Sequence, residues 1–369
     1  MQAVGVMPGR REVNLVEHAT PHIGAGGEVK VRTIEVGICG TDKEICTFVY
    51  GAPPTGYDYL VIGHESLGEV IEVGDGVSGL RKGDLVVPSV RRPCPHDHCR
   101  PCRADLQDFC STGDFTERGI KMTHGFMTEY YVEHEKYLNV VPASLRDVAV
   151  LVEPLTVAEK GLAQVWQVQK RLPWGQANNG DQPGQGLNAV VLGAGPVGIL
   201  GAMCLVANGF KTYVYSRSKK PNPKADLVES FGAKYISSET ESVDQFAERV
   251  GNIDLVYEAL GVADLSFKVL KVLGLNGIFV FTGIPAPKLP IPVEADNLMR
   301  NLVLKNQVAV GTVNADRPAF QAAIRDLELF SRRWPTALRS LITGRFKMDS
   351  FRELLLGDRS GIKNVIALD

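Results

Sequence analysis

Four cysteines, Cys94, Cys99, Cys102 and Cys110, fall within 17 positions in the spacing C-x4-C-x2-C-x7-C. That density of thiols points to a metal. Four thiolates close a tetrahedral zinc shell and leave no position for a substrate, so the expected role is structural. His96 and His98 lie inside the same run and are alternative ligands. A zinc ribbon for nucleic acid is disfavoured, because ribbons usually present two separated C-x2-C pairs. Cys46 and Cys204 read as core thiols.

A second set of ligand types is scattered. Cys39, in Gly37-Ile-Cys-Gly-Thr41-Asp42, and His64, in Gly63-His-Glu65, offer a thiolate and an imidazole on separate segments. With one more protein ligand they would leave a zinc position open, which is the arrangement of a Lewis-acid catalyst. Glu153, in Glu153-Pro-Leu155, is the candidate third ligand, with Glu65 either behind the metal or exchanging onto it. Each residue also has an ordinary explanation: a lone Cys or His is usually a core residue, and Glu153 at a helix start is favoured by the dipole.

The run Val190-Val-Leu-Gly-Ala-Gly-Pro-Val-Gly198 puts Gly193, Gly195 and Gly198 in a GxGxxG frame after a strand-like segment, with Pro196 and Val197 opening an apolar helix pattern. In that context the first glycine allows a tight turn, the second a close pyrophosphate and the third close helix packing. Further on, Tyr215-Ser216-Arg217-Ser218 stands where NAD-selective sites carry an acidic residue. Arg217, with Lys219 and Lys220, suits the 2′-phosphate of NADP, with NAD accepted less well; a solvated basic loop is the alternative reading.

The elements that must position these groups change character along the chain. Before residue 150, short β-type runs at 29–36, 67–73 and 85–87 alternate with Gly- and Pro-rich loops, which suggests a β-barrel or sandwich. Leu155, Ala158, Leu162, Val165 and Trp166 recur at helical spacing over 153–170. Strands at 188–192, 212–215 and 255–257 then alternate with helical patterns, as in a parallel sheet wrapped by helices. The boundary is expected in the Pro/Gly segment 172–186. The expected domains are 1–184, 185–312 and a segment 313–369, whose last strand, 364–368, pairs back with the first domain.

Hydrophobic residues make up 44% of the chain and charged residues 22%, which fits a globular protein and excludes disorder. Forty Lys plus Arg against 42 Asp plus Glu leave a net charge of −2, no field for nucleic acid. No apolar run reaches the ~20 residues of a membrane span, and residues 1–11 lack the pattern of a signal peptide, so a cytoplasmic protein is expected.

Together the GHE-x2-G-x5-G-x2-V pattern from Gly63 to Val77, Gly-Ile-Cys39-Gly-Thr-Asp, the cysteine lobe and Gly-Ala-Gly-Pro-Val-Gly resemble the zinc-dependent medium-chain dehydrogenase/reductase family over essentially the whole chain. Glu153, Glu117-Arg-Gly-Ile120 before Gly125-Phe-Met-Thr-Glu129, and Thr312-Val-Asn314 look most like its glucose 1-dehydrogenase branch. The resemblance implies an α/β protein with a GroES-like β-barrel catalytic domain and a doubly wound Rossmann domain. It implies oxidation of D-glucose, or of other aldoses, at the anomeric carbon to the lactone, with hydride passed to NADP or NAD and two zinc ions per chain.

It further implies that Glu117 contacts sugar hydroxyls, that Thr41 lies beside the reacting hydroxyl, and that Asn314 reaches substrate near the nicotinamide. Leu260, Gly261 and Phe281 join the cofactor positions. Val90 and Val157 stand where some members carry Asn and Asp, which removes two polar sugar contacts. A homodimer or homotetramer is expected, with no nucleic-acid or membrane partner. The rivals are a polyol or secondary-alcohol dehydrogenase of the same family and a non-catalytic zinc-binding protein.

Overall fold

The computed structural model describes residues 1–24, 26–173, 182–285, 290–358 and 360–368. The chain divides into two compact units, Met1–Thr156 with Asn314–Asp369, and Val157–Val313. The division falls inside the helix Val152–Gln169, whereas the sequence places it in the segment 172–186, part of which lies outside the described residues. The later turns of that helix belong with the second unit because Gly161 brings the backbone against the Tyr257 and Val280 side chains, where a Cβ would sit 3.5 Å from each.

In the first unit the strand Glu28–Gly37 is central, pairing antiparallel with Glu65–Val73, Tyr130–His134 and Lys363–Ala367. Its β-branched residues Val29, Val31, Ile34 and Val36 are buried, and the core that the three valines join includes Leu60, Phe126, Met127 and Ile366. The register with the C-terminal strand, Val365 opposite Gly37 and Ile366 opposite Val36, returns the end of the chain to the segment preceding Cys39. A sheet of Leu60–Val61, Gln2–Met7 and Glu12–Glu17 completes the barrel-like body.

The second unit carries six parallel strands in the order Lys234–Ser237, Lys211–Ser216, Asn188–Leu192, Leu255–Glu258, Ile278–Phe281, Val308–Gly311. The strand order reverses at Asn188–Leu192. In a doubly wound sheet the crevice at the carboxyl ends of the strands flanking such a reversal is the ligand site. The fold is therefore the α/β combination expected from the sequence. No helix among the described residues is long and apolar enough to cross a membrane.

Candidate active site

Cys39 sits at the start of the short helix Gly40–Cys46, and its backbone N–H donates to Asp42 Oδ2 at 2.8 Å. The other oxygen of Asp42 accepts from Gly63 N–H at 3.2 Å and lies 3.3 Å from His64 Nδ1. One buried carboxylate thus fixes both segments that carry ligands. Gly63 itself has φ +90°, and a Cβ there would lie 2.6 Å from Met127 Cγ, so only glycine lets the chain deliver His64 to this place. Ligand atoms of Cys39, His64 and Glu65 all lie within 4.8 Å of one another.

His64 is buried, and burial opposes its protonation; Asp42 and Cys39 outweigh that and hold its pKa well above the usual value. Its Nδ1 has no partner of hydrogen-bond geometry. A buried imidazole, a thiol and a carboxylate whose ligand atoms lie this close together are a donor set that fits zinc, which would take the imidazole neutral and the thiol ionised.

Glu65 is buried with both carboxylate oxygens on the ammonium of Lys363, at 2.8 and 2.5 Å, and that ammonium also donates to Ile38 O at 3.0 Å. With both its oxygens engaged, Glu65 stands behind the ligands more readily than among them. Glu153 lies outside the three-residue cluster but close enough to feel it: burial first, then Glu65 and Asp42, push its carboxyl up to about 7 against the opposing His64 and Lys363. Thr41, partly buried, occupies the helix that Cys39 begins. Asp42 and Lys363, which contact the candidate ligands, are residues that sequence reasoning missed. Asp42 was visible within the Cys39 motif; Lys363 had no signal.

The other expected substrate residues meet each other. Asn314 Nδ2 donates to Glu117 Oε1 at 2.8 Å, and Asn314 holds its position at φ +60° by accepting Ala315 N–H at its own Oδ1. Glu117 lies in the strand Thr116–Arg118, opposite Arg91, whose Nε donates to the same Oε1 at 3.0 Å. All these donors converge on Oε1, which leaves Oε2 to accept from a ligand.

The four lobe cysteines form a third constellation, with Cys94, Cys99 and Cys102 buried and Cys110 beside them. All seven cysteines of the chain are free thiols. Hydrogen bonding, chiefly from Ser111, pulls the Cys99 thiol down to about 5, whereas burial pushes Cys102 up to about 12. The four sulfur atoms all lie within 4.8 Å of one another, and this donor set fits zinc. His96 is not among them: its Nε2 lies 2.6 Å from Asp114 Oδ2.

In the second unit the three glycines of the turn do different work. Gly193 has φ +105°, and a Cβ on Gly198 would lie 2.2 Å from Gly193 O, so both are fixed by backbone geometry. A Cβ on Gly195 would meet nothing within 4 Å, which leaves open space where the helix Pro196–Ala207 starts, the place for a pyrophosphate. Buried Glu258 accepts from Leu260 N–H and Gly261 N–H at 2.8 and 2.7 Å and from Gly283 N–H at 3.1 Å. It ties the loops after two adjacent strands, and Phe281 lies opposite it in the register.

Ser216, Arg217 and Ser218 use their carbonyls to accept from Ser238, Ser237 and Tyr235, which leaves the exposed Arg217 side chain without an ion pair among the described residues. Lys220 is engaged by Glu229.

Residues 25–143 match the alcohol dehydrogenase GroES-like domain and residues 146–368 the glucose dehydrogenase C-terminus. The chain is 38% identical to a glucose 1-dehydrogenase of Methanocella arvoryzae over 369 residues, covering 100% of this chain and 99% of the relative. It is 37% identical to a glucose 1-dehydrogenase of Thermoproteus tenax, with 99% of each covered. Among solved structures, the glucose dehydrogenase of Haloferax mediterranei in complex with NADP, Zn and gluconolactone superposes with a TM-score of 0.89 at 32% identity, covering 100% of this chain and 99% of that one. On the strength of matches that span its whole length, the chain belongs to the zinc-dependent medium-chain dehydrogenase/reductase family, close to the glucose 1-dehydrogenases.

Proposed function

We propose that this chain is a zinc-containing, NAD(P)-dependent glucose 1-dehydrogenase that oxidises D-glucose, and other aldoses, to the aldonolactone. The observation that carries the sugar assignment is the Asn314–Glu117 contact, a polar pair with one carboxylate oxygen left to accept a hydroxyl. Cys39, His64 and Glu153 would hold a zinc ion whose Lewis acidity eases loss of the proton of the anomeric hydroxyl, and the hydride on the anomeric carbon would go to NADP. Thr41 passes that proton outward through water. Glu65, anchored by Lys363, sets the field behind the ligands.

The open turn at Gly195 receives the pyrophosphate, and the backbone pinned by Glu258 lines the cofactor pocket with Leu260, Gly261 and Phe281. Arg217, without an ion pair among the described residues, pairs with a 2′-phosphate and favours NADP over NAD. The lobe Cys94, Cys99, Cys102 and Cys110 holds a second, structural zinc. A homodimer or homotetramer is supported by the edge strand Val308–Gly311 and by the exposed apolar Met299, Val303 and Leu304 of the helix Ala295–Leu304.

Reduction of NADP and of NAD, followed on a panel of aldoses, polyols and simple secondary alcohols, tests the reading. Turnover of glucose with NADP well above that of any polyol supports it. A faster polyol or secondary alcohol establishes the family rival, and no turnover at full zinc occupancy establishes a binding protein.

A further inference from the structure

Arg91 is buried, and each nitrogen of its guanidinium faces a protein oxygen. Nε donates to Glu117 Oε1 at 3.0 Å and Nη2 lies 2.9 Å from the same oxygen. Nη1 donates to the carbonyl of Asp108 at 3.0 Å. The plane of the group lies 3.7 Å over the Phe115 ring. Asp108 belongs to the turn Gln107–Phe109, which lies in sequence between Cys102 and Cys110 and whose Gln107 carbonyl accepts the Cys110 N–H at 3.1 Å. One rigid, planar cation therefore bridges the cysteine lobe and the carboxylate assigned to the sugar, and its fork geometry serves both ends at once.

We propose that Arg91 is a positioning residue for sugar recognition: it holds Glu117 Oε1 so that Oε2 faces the substrate, and it takes its own position from the cysteine lobe. The proposal rests on the reading of Glu117 as the sugar-binding carboxylate. Arg91 is read as acting through Glu117, because each of its three nitrogens already faces a protein oxygen. It gives the lobe a second task besides stability, since loosening the turn at Asp108 loosens the grip on glucose.

A double-mutant cycle with Arg91→Gln and Glu117→Gln tests this, with KM and kcat for glucose, glucose binding by calorimetry, NADP affinity and melting temperature measured on each. Arg91→Gln is expected to raise glucose KM about 10-fold, with kcat at saturating sugar and NADP affinity nearly unchanged. In the Glu117→Gln background the same change should add less than about 2-fold, because its effect acts through that carboxylate. Arg91→Lys keeps the charge but not the fork and should fall between; if Arg91→Gln does not fold, it serves in the cycle.

Cys110→Ser should shift glucose KM in the same direction from the other side of the bridge. Full additivity in the cycle overturns the proposal, as does a folded Cys110→Ser enzyme with unchanged KM. If Glu117→Gln raises KM and Arg91→Gln does not, the proposal alone falls; if Glu117→Gln leaves KM unchanged, the sugar reading of Glu117 falls and takes the proposal with it.

Discussion

The two constellations of metal-binding residues in the first unit are built on opposite plans. The lobe draws four ligands of one kind from a single short stretch, and its surroundings are the thiols themselves with Ser111 and Thr112. The other cluster brings Cys39 and His64 together from two segments, with Glu65 beside them, and braces them with Asp42 from a helix and Lys363 from the far end of the chain. A closed, self-sufficient shell holds a loop together. A shell with mixed donors and charged neighbours holds a metal that must also work, because those neighbours set ligand orientation and charge.

The sharpest way to break that contrast is to remove one thiol from each. Cys39→Ser should lower glucose turnover by roughly 1,000-fold or more, since it withdraws several kcal/mol of transition-state charge stabilisation. Its melting temperature should barely move. Cys102→Ser should cost stability and raise glucose KM, while kcat at saturating sugar holds and the open site keeps its metal. Metal analysis is expected to find two zinc ions per active chain, with a chelator stripping the open site, and activity, first. A single zinc in fully active protein would show that the lobe closes without metal.

The bracing of the open cluster supplies the next largest effect. Lys363→Met leaves Glu65 buried and charged without its partner, which should cost about 3 to 5 kcal/mol in denaturant unfolding. The double variant Lys363→Met with Glu65→Gln should recover much of that loss, because no uncompensated charge remains. Asp42→Asn keeps only one of the two oxygens that accept from Cys39 and Gly63 and removes the charge facing His64, and zinc affinity at the open site should fall by about 10- to 100-fold. Neither change should alter metal retention in the lobe.

The same contrast explains what could be read from the chain before its structure. The lobe and the glycine turn are local: their ligands or backbone roles lie within one window, and spacing alone carries the chemistry. The parallel strands were legible for a similar reason, as buried β-branched runs such as Asn188–Leu192 have few other uses. Lys363 was not legible, because a lysine in a terminal strand reads as a surface charge until the register of Lys363–Ala367 on Glu28–Gly37 buries it beside Glu65.

Arg91 escaped for a related reason. A two-residue strand, Arg91–Arg92, has no periodicity to reveal, and only its pairing with Thr116–Arg118 sets it against Glu117. The division of the chain inside the helix Val152–Gln169 likewise follows from packing of Gly161 on Tyr257, a contact between residues far apart in sequence.

The smallest expected effect is the most pointed test of the lobe. His96 lies among the cysteines in sequence and has the right chemistry for zinc, so a three-thiolate, one-histidine site was an open alternative. The folded chain gives it another partner: its Nε2 faces Asp114 Oδ2 at 2.6 Å, with 37% and 63% of the two side chains exposed. A side-chain contact so open to water contributes at most about 1 kcal/mol. His96→Ala should therefore leave lobe zinc stoichiometry unchanged and shift unfolding by less than about 1 kcal/mol, while Cys94→Ala at the same lobe should lose the metal. Loss of zinc from the His96 variant, measured on protein that retains activity, would replace one thiolate with imidazole and turn the lobe from a uniform shell into a mixed one, which would remove the chemical half of the contrast with the open cluster.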